Sequence, residues 1–315
     1  MMHTTFGTIM AAYRAKYKLN QREICKGICA EATCVRAGLE GIEVDFLTQE
    51  ALLGRMGLSS DDFELLLGDE EYILQSERGA IRSDMAGRNM EDLEEKLARY
   101  TEKYGTNHPL HKQFILYYRM KLACWHKQSA EEIRRLAEQA FFCTKESDEV
   151  PHCRNNLYSY TELDILLTMI QYGHENWCDV LKNGYYLKQI IEYVGVYYAK
   201  ESREEIEGRA WIQLIRIAGE YESRDTLLSY IDRAIACFSS GTGIERLAEV
   251  RFIKAQLLLE KGDGAENTEK QIEQCKEECC MAYCIYEVLG CTEKVREITS
   301  FCEEKLRWHI TMQMK

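Results

Sequence analysis

Four cysteines lie close together near the carboxyl end of the chain, and thiolates at such a density can bind a metal ion. They are Cys275, Cys279, Cys280 and Cys284. On one helix, at about 100° per residue, they point to roughly 0°, 40°, 140° and 180°. Two face one way and two the other, so a single helix does not bring all four to one tetrahedral ion. The spacing favours thiols that pack as small core residues, and we interpret Cys25, Cys29 and Cys34 in the same way.

Other chemistry-bearing motifs give little support for an enzyme. His108 and His111 form the only close histidine pair, and their position around Pro109 is typical of a capped, exposed helix start rather than a metal site. The chain lacks a phosphate-binding P-loop, a dinucleotide fingerprint, a nucleophile elbow and an H-E-x-x-H zinc motif. The glycine-rich stretches at 241–243 and 262–264 are interpreted as turns between helices. We therefore predict no catalytic residue, no cofactor and no metal site.

Charge is unevenly distributed along the chain. Residues 1–36 carry six basic side chains against Glu23 and Glu31, a net charge of +4, whereas the whole chain has −12 and the remainder therefore −16. A basic N-terminal segment in an otherwise acidic chain is compatible with a small nucleic-acid-binding module attached to a domain with another role.

Composition limits the fold and the compartment. A chain of 315 residues suggests two domains at about 150 residues each. Its two prolines, Pro109 and Pro151, argue against an all-β protein and for an almost wholly helical one. The longest run without a charged residue, Met1 to Tyr13, is too short for a membrane span of about 20 residues and lacks the features of a secretory signal. We expect no membrane association, a cytoplasmic location and reduced thiols.

The first 67 residues show a succession of short helices. Helical apolar spacing and turn residues predict helices at 6–17, 21–28, 30–39, 46–57 and 61–67. Asn20 is the expected N-cap of the second helix, with Glu23 completing a capping box, and Gly27 is the expected tight turn. Short helices separated by such a turn are typical of a helix-turn-helix.

The segment at residues 5–67 resembles the lambda-repressor-like helix-turn-helix of the peptide-pheromone-responsive regulators of the Rgg/PlcR type. In that group the turn commonly reads G-[IL]-C-S and the recognition helix ends S-R-I-E-x-G. Here the turn reads Gly-Ile-Cys-Ala from Gly27, and Arg36 keeps the arginine. The other fixed positions of that segment, Val35, Ala37, Gly38 and Glu40, differ from the pattern, and Val44 stands where the group usually has a proline. Thus the scaffold matches, and the DNA-reading surface is altered.

The resemblance implies a transcriptional regulator that binds double-stranded DNA as a homodimer, with recognition helices in half-sites about one DNA turn apart. By position, Gln21 would approach a phosphate, and Arg14 and Lys26 would supply charge to the DNA backbone. Glu31, Thr33 and Arg36 would face the major groove. The resemblance also implies a sensor domain that binds a short linear peptide.

From residue 69 onward the sequence predicts helices throughout. The predicted segments are 69–84, 89–104, 110–126, 129–143, 156–172, 175–199, 202–221, 224–238, 244–261, 268–289 and 293–306. Ala234-x-x-x-Phe238 and Ala282-x-x-x-Tyr286 are fragments of the tetratricopeptide pattern. We predict an all-α protein with a helix-turn-helix domain at 1–68 and a degenerate tetratricopeptide-like α-solenoid at 69–315. A non-repetitive helical bundle is the alternative.

Aromatic and basic residues of the solenoid are candidates for the peptide site. Adjacent tyrosines lie about 100° apart on a helix, so one member of each pair is expected to face a groove or a neighbouring repeat. A groove lined by tyrosine, asparagine and arginine suits a peptide backbone and its side chains. The candidates are Tyr118, Asn183, Tyr186, Arg209, Arg216 and Arg251.

A second functional hypothesis competes with the regulator. The altered segment at 35–40 is compatible with a vestigial helix-turn-helix on a tetratricopeptide-like protein-interaction module, whereas the basic N-terminal segment opposes that interpretation. An enzyme has no motif in its favour.

Overall fold

The computed structural model describes residues 6–39, 44–60, 67–105, 108–145, 156–173, 180–219, 221–239, 243–260 and 268–310. Within these residues there are fifteen α-helices and no β-strand, which confirms the all-α prediction. The chain divides into two compact units, residues 1–199 and 200–315. The functional division predicted at residue 68 stays a prediction.

The first unit contains ten of the described helices. They are α1 (Phe6–Tyr17), α2 (Gln21–Cys25), α3 (Glu31–Leu39), α4 (Phe46–Arg55), α5 (Asp69–Gly87), α6 (Met90–Tyr104), α7 (Pro109–Trp125), α8 (Ala130–Phe141), α9 (Tyr160–Tyr172) and α10 (Val180–Tyr197). Most bounds lie within a few residues of the predicted ones. The predicted helix at 61–67 falls almost wholly outside the described residues.

Local sequence signals explain where these helices begin. Pro109 is the first residue of α7, where its missing N–H costs no hydrogen bond. Ser159 caps α9, and Glu162 completes the capping box by accepting from the Ser159 backbone N–H at 2.8 Å. α7 and α9 form the centre of the unit, since most of their apolar side chains are buried.

The second unit contains five helices in its described part, and each packs on the next. They are α11 (Lys200–Ala218), α12 (Arg224–Phe238), α13 (Ile244–Leu259), α14 (Glu269–Val288) and α15 (Thr292–Leu306). Both tetratricopeptide fragments are buried, with Ala234 and Ala282 fully inaccessible. Gly208 on α11 allows the Phe238 ring to approach, because a Cβ there would lie 2.4 Å from the ring.

Burial of the cysteines agrees with the helical-wheel analysis in part. Cys275 and Cys279 are buried with Cys302 in the core of the second unit. Cys280 is half-buried and Cys284 is exposed, so the expectation that this group packs in the core is wrong for Cys284. Cys284 lies on the opposite side of α14 from Cys275, and that side faces solvent. Among the described residues, no group of three or more potential ligands is placed to hold a metal ion.

The expected exposure of the histidine pair is wrong for His111. His108 is exposed, but His111 is buried and its Nδ1 lies 2.7 Å from Tyr100 Oη. Its ring also stacks on Tyr104, with ring centroids 4.9 Å apart. Pro109 starts the helix, and the first turn of α7 places His111 against α6. In the part of the chain that is described, no helix is long and apolar enough to cross a membrane.

Candidate functional sites

The α2–turn–α3 segment has the local structure that its sequence predicts. Asn20 Oδ1 accepts from the Glu23 backbone N–H at 2.8 Å, and Glu23 Oε2 accepts from the Asn20 backbone N–H at 2.8 Å. Gly27 has φ +74°, a conformation that favours glycine. The chain turns there before α3 begins at Glu31, which explains why α2 ends at Cys25 rather than at residue 28. The predicted capping box and turn are confirmed.

The inner side of this segment is a small core of apolar side chains and thiols. Its buried members are Met10, Tyr13, Ile24, Cys25 and Cys34. Burial raises the pKa of the Cys34 thiol to about 11 and that of the half-buried Cys29 to about 12. These cysteines are therefore neutral thiols near pH 7 and serve as packing residues, as the sequence predicts.

The outer side of α3 presents polar residues to solvent. Glu31 and Arg36 are exposed, and Thr33 is half-buried. Arg36 Nε donates to the Ala32 carbonyl at 3.3 Å, a local bond that still leaves the guanidinium at the surface. The side chains of residues 37–39 and the whole of 40–43 lie outside the described residues, so the altered Ala37, Gly38 and Glu40 are not placed.

The remaining DNA-binding candidates are Gln21 and Lys26, at the two ends of α2, and Arg14, near the end of α1. Gln21 and Lys26 are half-buried, and the Lys26 carbonyl is used inside the protein. Arg14 is half-buried, and its Nε donates to the Leu19 carbonyl at 3.4 Å, which ties the end of α1 to the start of α2. Arg14 thus has a structural role beside the predicted contact with the DNA backbone.

Tyr118 is not accessible to a peptide ligand. Its side chain is 6% exposed, and the adjacent Tyr117 is also buried, with its hydroxyl donating to Asp164 at 2.6 Å. Both rings are enclosed because α7 packs against α4, α6 and α8. The expectation that one tyrosine of this pair faces a groove is wrong, and we exclude Tyr118 from the candidate site.

In the second tyrosine pair, Tyr185 and Tyr186, one side chain is exposed and the other is buried, as expected. The exposed member is Tyr185, however, and not the predicted Tyr186. Tyr185 is 49% exposed, whereas Tyr186 is 8% exposed. Tyr186 is therefore a core residue, and Tyr185 is the member that faces solvent. Asn183 belongs to α10, and its side chain lies outside the described residues, so its role stays a prediction.

The three arginine candidates of the second unit have different surroundings. Arg209 is buried. Arg251 is largely buried and forms an ion pair with Glu278 at 2.7 Å between α13 and α14. Arg216 is exposed and forms an ion pair with Glu249, which joins α11 to α13. Arg216 borders an open groove.

The groove beside Arg216 has a volume of about 340 Å³ and is lined mainly by α11, α13 and α15. Its floor is apolar, with Ile215 and Phe252 buried there. Its polar lining includes Gln256 and an ion pair between Lys294 and Glu297 at 2.7 Å. Apolar surface with a few placed polar groups is typical of a site for a peptide or small ligand.

Among the predicted peptide-site residues whose side chains the structure describes, Arg216 lines this groove. The other lining residues, which fall within residues 215–297, were not predicted from the sequence. The spacing of Phe252 and Gln256, four residues apart on α13, was the available signal, since such residues share a helix face. The alignment of that face with α11 and α15 depends on helix packing.

Two features define the fold: an N-terminal helix-turn-helix and a succession of paired helices. The crystal structure of Bacillus thuringiensis PlcR in complex with the peptide PapR7 and DNA has this fold, with a TM-score of 0.53 over 93% of this chain and 98% of that chain. The two sequences are 13% identical, so the similarity is one of fold. It confirms the predicted helix-turn-helix followed by tetratricopeptide-like helices. No protein-family model and no curated protein sequence matches the chain.

Two further solved structures cover the chain with lower scores. The SHP pheromone receptor Rgg2 of Streptococcus dysgalactiae is 13% identical and covers 94% of this chain and 97% of its own, with a TM-score of 0.38. ComR from S. thermophilus, in complex with DNA and its signalling peptide, is 13% identical and covers 94% and 98%, with a TM-score of 0.37.

Proposed function

We propose that this protein is a cytoplasmic, non-enzymatic transcriptional regulator that binds double-stranded DNA through α2 and α3. The observation that carries the proposal is the outer face of α3: Glu31 and Arg36 are exposed, while Cys34 anchors the opposite face. Lys16, Lys18 and Arg22 are also exposed near this helix in the sequence. The fold likeness to PlcR, which was solved with DNA, supports the same proposal.

The DNA-binding proposal is tested by electrophoretic mobility shift with duplex DNA. Weak binding to random sequence is expected in about 50 mM salt, and the affinity should fall steeply as salt rises because phosphate contacts release counterions. The same assay on a pool of random duplexes should enrich a preferred sequence. Absence of any shift in about 50 mM salt contradicts the proposal and favours a protein-interaction module with a vestigial helix-turn-helix.

We also propose that the groove beside Arg216 binds a short linear peptide. Ile215 and Phe252 would contact apolar side chains of the peptide, and Gln256 would bond its backbone. Arg216 and Lys294 sit at this groove with carboxylates beside them, so a peptide of mixed charge fits better than a uniformly charged one. PlcR was solved with a bound peptide, which supports a peptide ligand for this fold.

Filling the groove tests the peptide proposal. Gly219 borders the groove, and a Cβ there would meet only ordinary contacts at 3.6 Å and beyond. Gly219→Leu should therefore fold normally and lose binding to peptides that a short-peptide library screen identifies with the wild-type protein. Gly79→Leu is the control, because a Cβ at Gly79 has no neighbour within 4 Å and Gly79 lies on α5. Equal binding by both variants contradicts the assignment of the groove.

We propose a homodimer as the active form, because a two-fold dimer presents two recognition helices to two half-sites. Sedimentation equilibrium of the full chain measures this directly. A monomer at the concentrations that saturate DNA contradicts it.

A further inference from the structure

Arg55 is a fully buried arginine at the end of α4, and its guanidinium bonds the end of α2. Nη1 donates to the Ile24 carbonyl at 3.2 Å and to the Lys26 carbonyl. The last carbonyls of a helix have no partner within the helix, so Arg55 supplies the donors that the end of α2 needs. The residues that follow form the turn into α3.

The other side of the same guanidinium is held by the body of the first unit. Nη2 donates to Glu162 Oε1 at 2.8 Å and to the Thr144 carbonyl at 3.1 Å, and Nε donates to Glu162 Oε2 at 3.3 Å. A planar fork bonded to both oxygens of a carboxylate has one orientation. Arg55 therefore relates the end of α2 to α9 with little freedom.

Glu162 is itself fixed in place. Its Oε2 accepts from the Ser159 backbone N–H at 2.8 Å in the capping box of α9, and its Oε1 accepts from Thr144 Oγ1 at 2.6 Å. Lys145 Nζ lies 3.8 Å from the same carboxylate. The position of Arg55 is thus set by the start of α9 and the segment after α8.

Gly27 provides an independent contact between the same parts. A Cβ at Gly27 would lie 2.2 Å from the Thr144 carbonyl oxygen and 2.9 Å from its carbonyl carbon. Only a residue without a side chain allows this approach. The turn between α2 and α3 therefore rests directly on the backbone of Thr144, the residue whose carbonyl also accepts from Arg55.

We propose that Arg55 and Gly27 are positioning residues for DNA binding, because they set the direction in which α3 projects from the helical body. The inference rests on the proposed DNA-binding function. Buried ion pairs add specificity of arrangement more readily than net stability. A DNA-reading helix held in its bound orientation avoids part of the ordering cost of binding. Loss of either contact should therefore reduce sequence selectivity before it unfolds the protein.

Gly27→Ala in the full-length protein tests the contact with Thr144, and Gly290→Ala is its matched control. Both glycines have a positive φ, +74° and +69°, so alanine is strained at both. Gly290 has no neighbour within 4 Å of its Cβ position, so only Gly27→Ala adds a clash. The probes are a duplex that the wild-type protein enriches from a random pool and a duplex of random sequence.

We expect Gly27→Ala to lower the affinity for the enriched duplex by about tenfold relative to random duplex, and Gly290→Ala to leave that ratio unchanged. Partial unfolding would lower both affinities together, so the ratio distinguishes a positioning role from a general loss of folded protein. Hydrogen exchange of the backbone amides in 24–36 should quicken in Gly27→Ala and not in Gly290→Ala.

Arg55→Lys and Glu162→Gln test the guanidinium itself, with Asp84→Asn as control. Lysine has a single charged nitrogen and cannot reproduce the bidentate bond to Glu162 together with the bonds to α2. Asp84 is a buried carboxylate that pairs with Lys96 between α5 and α6, so its variant also breaks an ion pair inside the first unit. Only Arg55→Lys and Glu162→Gln should lower the selectivity ratio and quicken exchange in 24–36.

The outcomes separate the two claims. If the wild-type protein enriches a duplex and Gly27→Ala, Arg55→Lys and Glu162→Gln all keep its selectivity and its amide protection, the positioning role is overturned while DNA binding stands. If the wild-type protein enriches no duplex, the proposed function fails and the positioning role for DNA binding fails with it.

Discussion

Arg55 and Glu162, which are 107 residues apart in sequence, form a buried ion pair with Nη2 2.8 Å from Oε1. Arg55 is the last residue of α4, and Glu162 lies in the first turn of α9. A helix-turn-helix and the helices behind it are therefore joined inside one compact unit.

Glu162 should make stability depend on acid pH. Burial alone would raise its pKa, but Arg55 and Lys145, with hydrogen bonds from Arg55 and Thr144, lower the pKa to about 2. A carboxylate whose pKa is lowered on folding contributes stability above its unfolded pKa of about 4.3, and the contribution is lost as pH falls toward 2. Glu162→Gln should cost about 3–5 kcal/mol at pH 7 because Arg55 loses its partner.

Urea unfolding measured at several pH values checks this prediction. The difference in unfolding free energy between wild type and Glu162→Gln should shrink as the pH is lowered from about 4.3 toward 2. A difference that stays constant over that range would show that the carboxylate is not held ionised by Arg55.

His111 should make the free energy of unfolding depend on pH in a second, milder range. Burial, followed by the charges of Arg78 and His108, lowers its pKa to about 4. The unfolded chain takes up this proton near pH 6.5 and the folded protein does not, so stability should fall as the pH is lowered from about 6.5 to 4. His111→Phe should weaken this dependence, whereas the exposed His309→Gln should not. Chemical unfolding at pH 7 and pH 5 measures the change in unfolding free energy with pH for each variant. An equal change for wild type and His111→Phe would contradict the assignment.

Arg36 is predicted to contact DNA directly. It is exposed on α3, and guanidinium matches the paired acceptors of guanine or a phosphate. Arg36→Ala should weaken binding to an enriched duplex by about 1–3 kcal/mol without loss of helical content. Arg99→Ala is a suitable control, because Arg99 is 66% exposed on α6 and pairs only locally with Glu95 among its described contacts. Equal affinities for the two variants would mean that α3 is not the recognition helix.

The order and bounds of the helices were largely predictable because they depend on local signals. Asn20 and Glu23 are three residues apart, and Gly27 follows them, so the sequence itself contains the cap and the turn. Apolar spacing identified α12 with the bounds that the structure shows, Arg224–Phe238. Such features need no knowledge of which helix packs on which.

The groove and the buried ion pair were not predictable in the same way. Arg55 gives no sign in the sequence that it is fully buried, because its partners come from α2, the segment after α8 and α9. Helix geometry alone predicts that Tyr118 and Tyr186 face a groove, but the helices packed around them bury both side chains. Burial by several neighbouring elements is a property of tertiary structure.

Two glycines provide a matched test of helix packing. A Cβ at Gly208 would lie 2.4–2.8 Å from the Phe238 ring, so Gly208→Ala should separate α11 from α12 and cost about 1–3 kcal/mol. Gly79, inside α5, has no neighbour within 4 Å of a Cβ, so Gly79→Ala should stabilise the protein by about 0.5–1 kcal/mol through helix propensity. Thermal unfolding compares the two. A gain in stability for Gly208→Ala would contradict the packing of α11 on Phe238.

Thiol reactivity should separate the cysteines of the second unit. Cys275, Cys279 and Cys302 are buried together, and the hydrogen bonds of the Cys279 thiol with Cys275 and Cys302, together with burial, raise the pKa of Cys279. A reagent in solution reaches only an accessible thiol, so these three buried cysteines should react slowly with a disulfide reagent at pH 7, while the exposed Cys284 reacts quickly. Mass spectrometry of the labelled peptides reports each site, with Cys284→Ser as control for the fast phase. In urea, Cys275, Cys279 and Cys302 should be labelled quickly, since unfolding exposes the thiols. Rapid labelling of Cys279 in the native protein would contradict its place in the core.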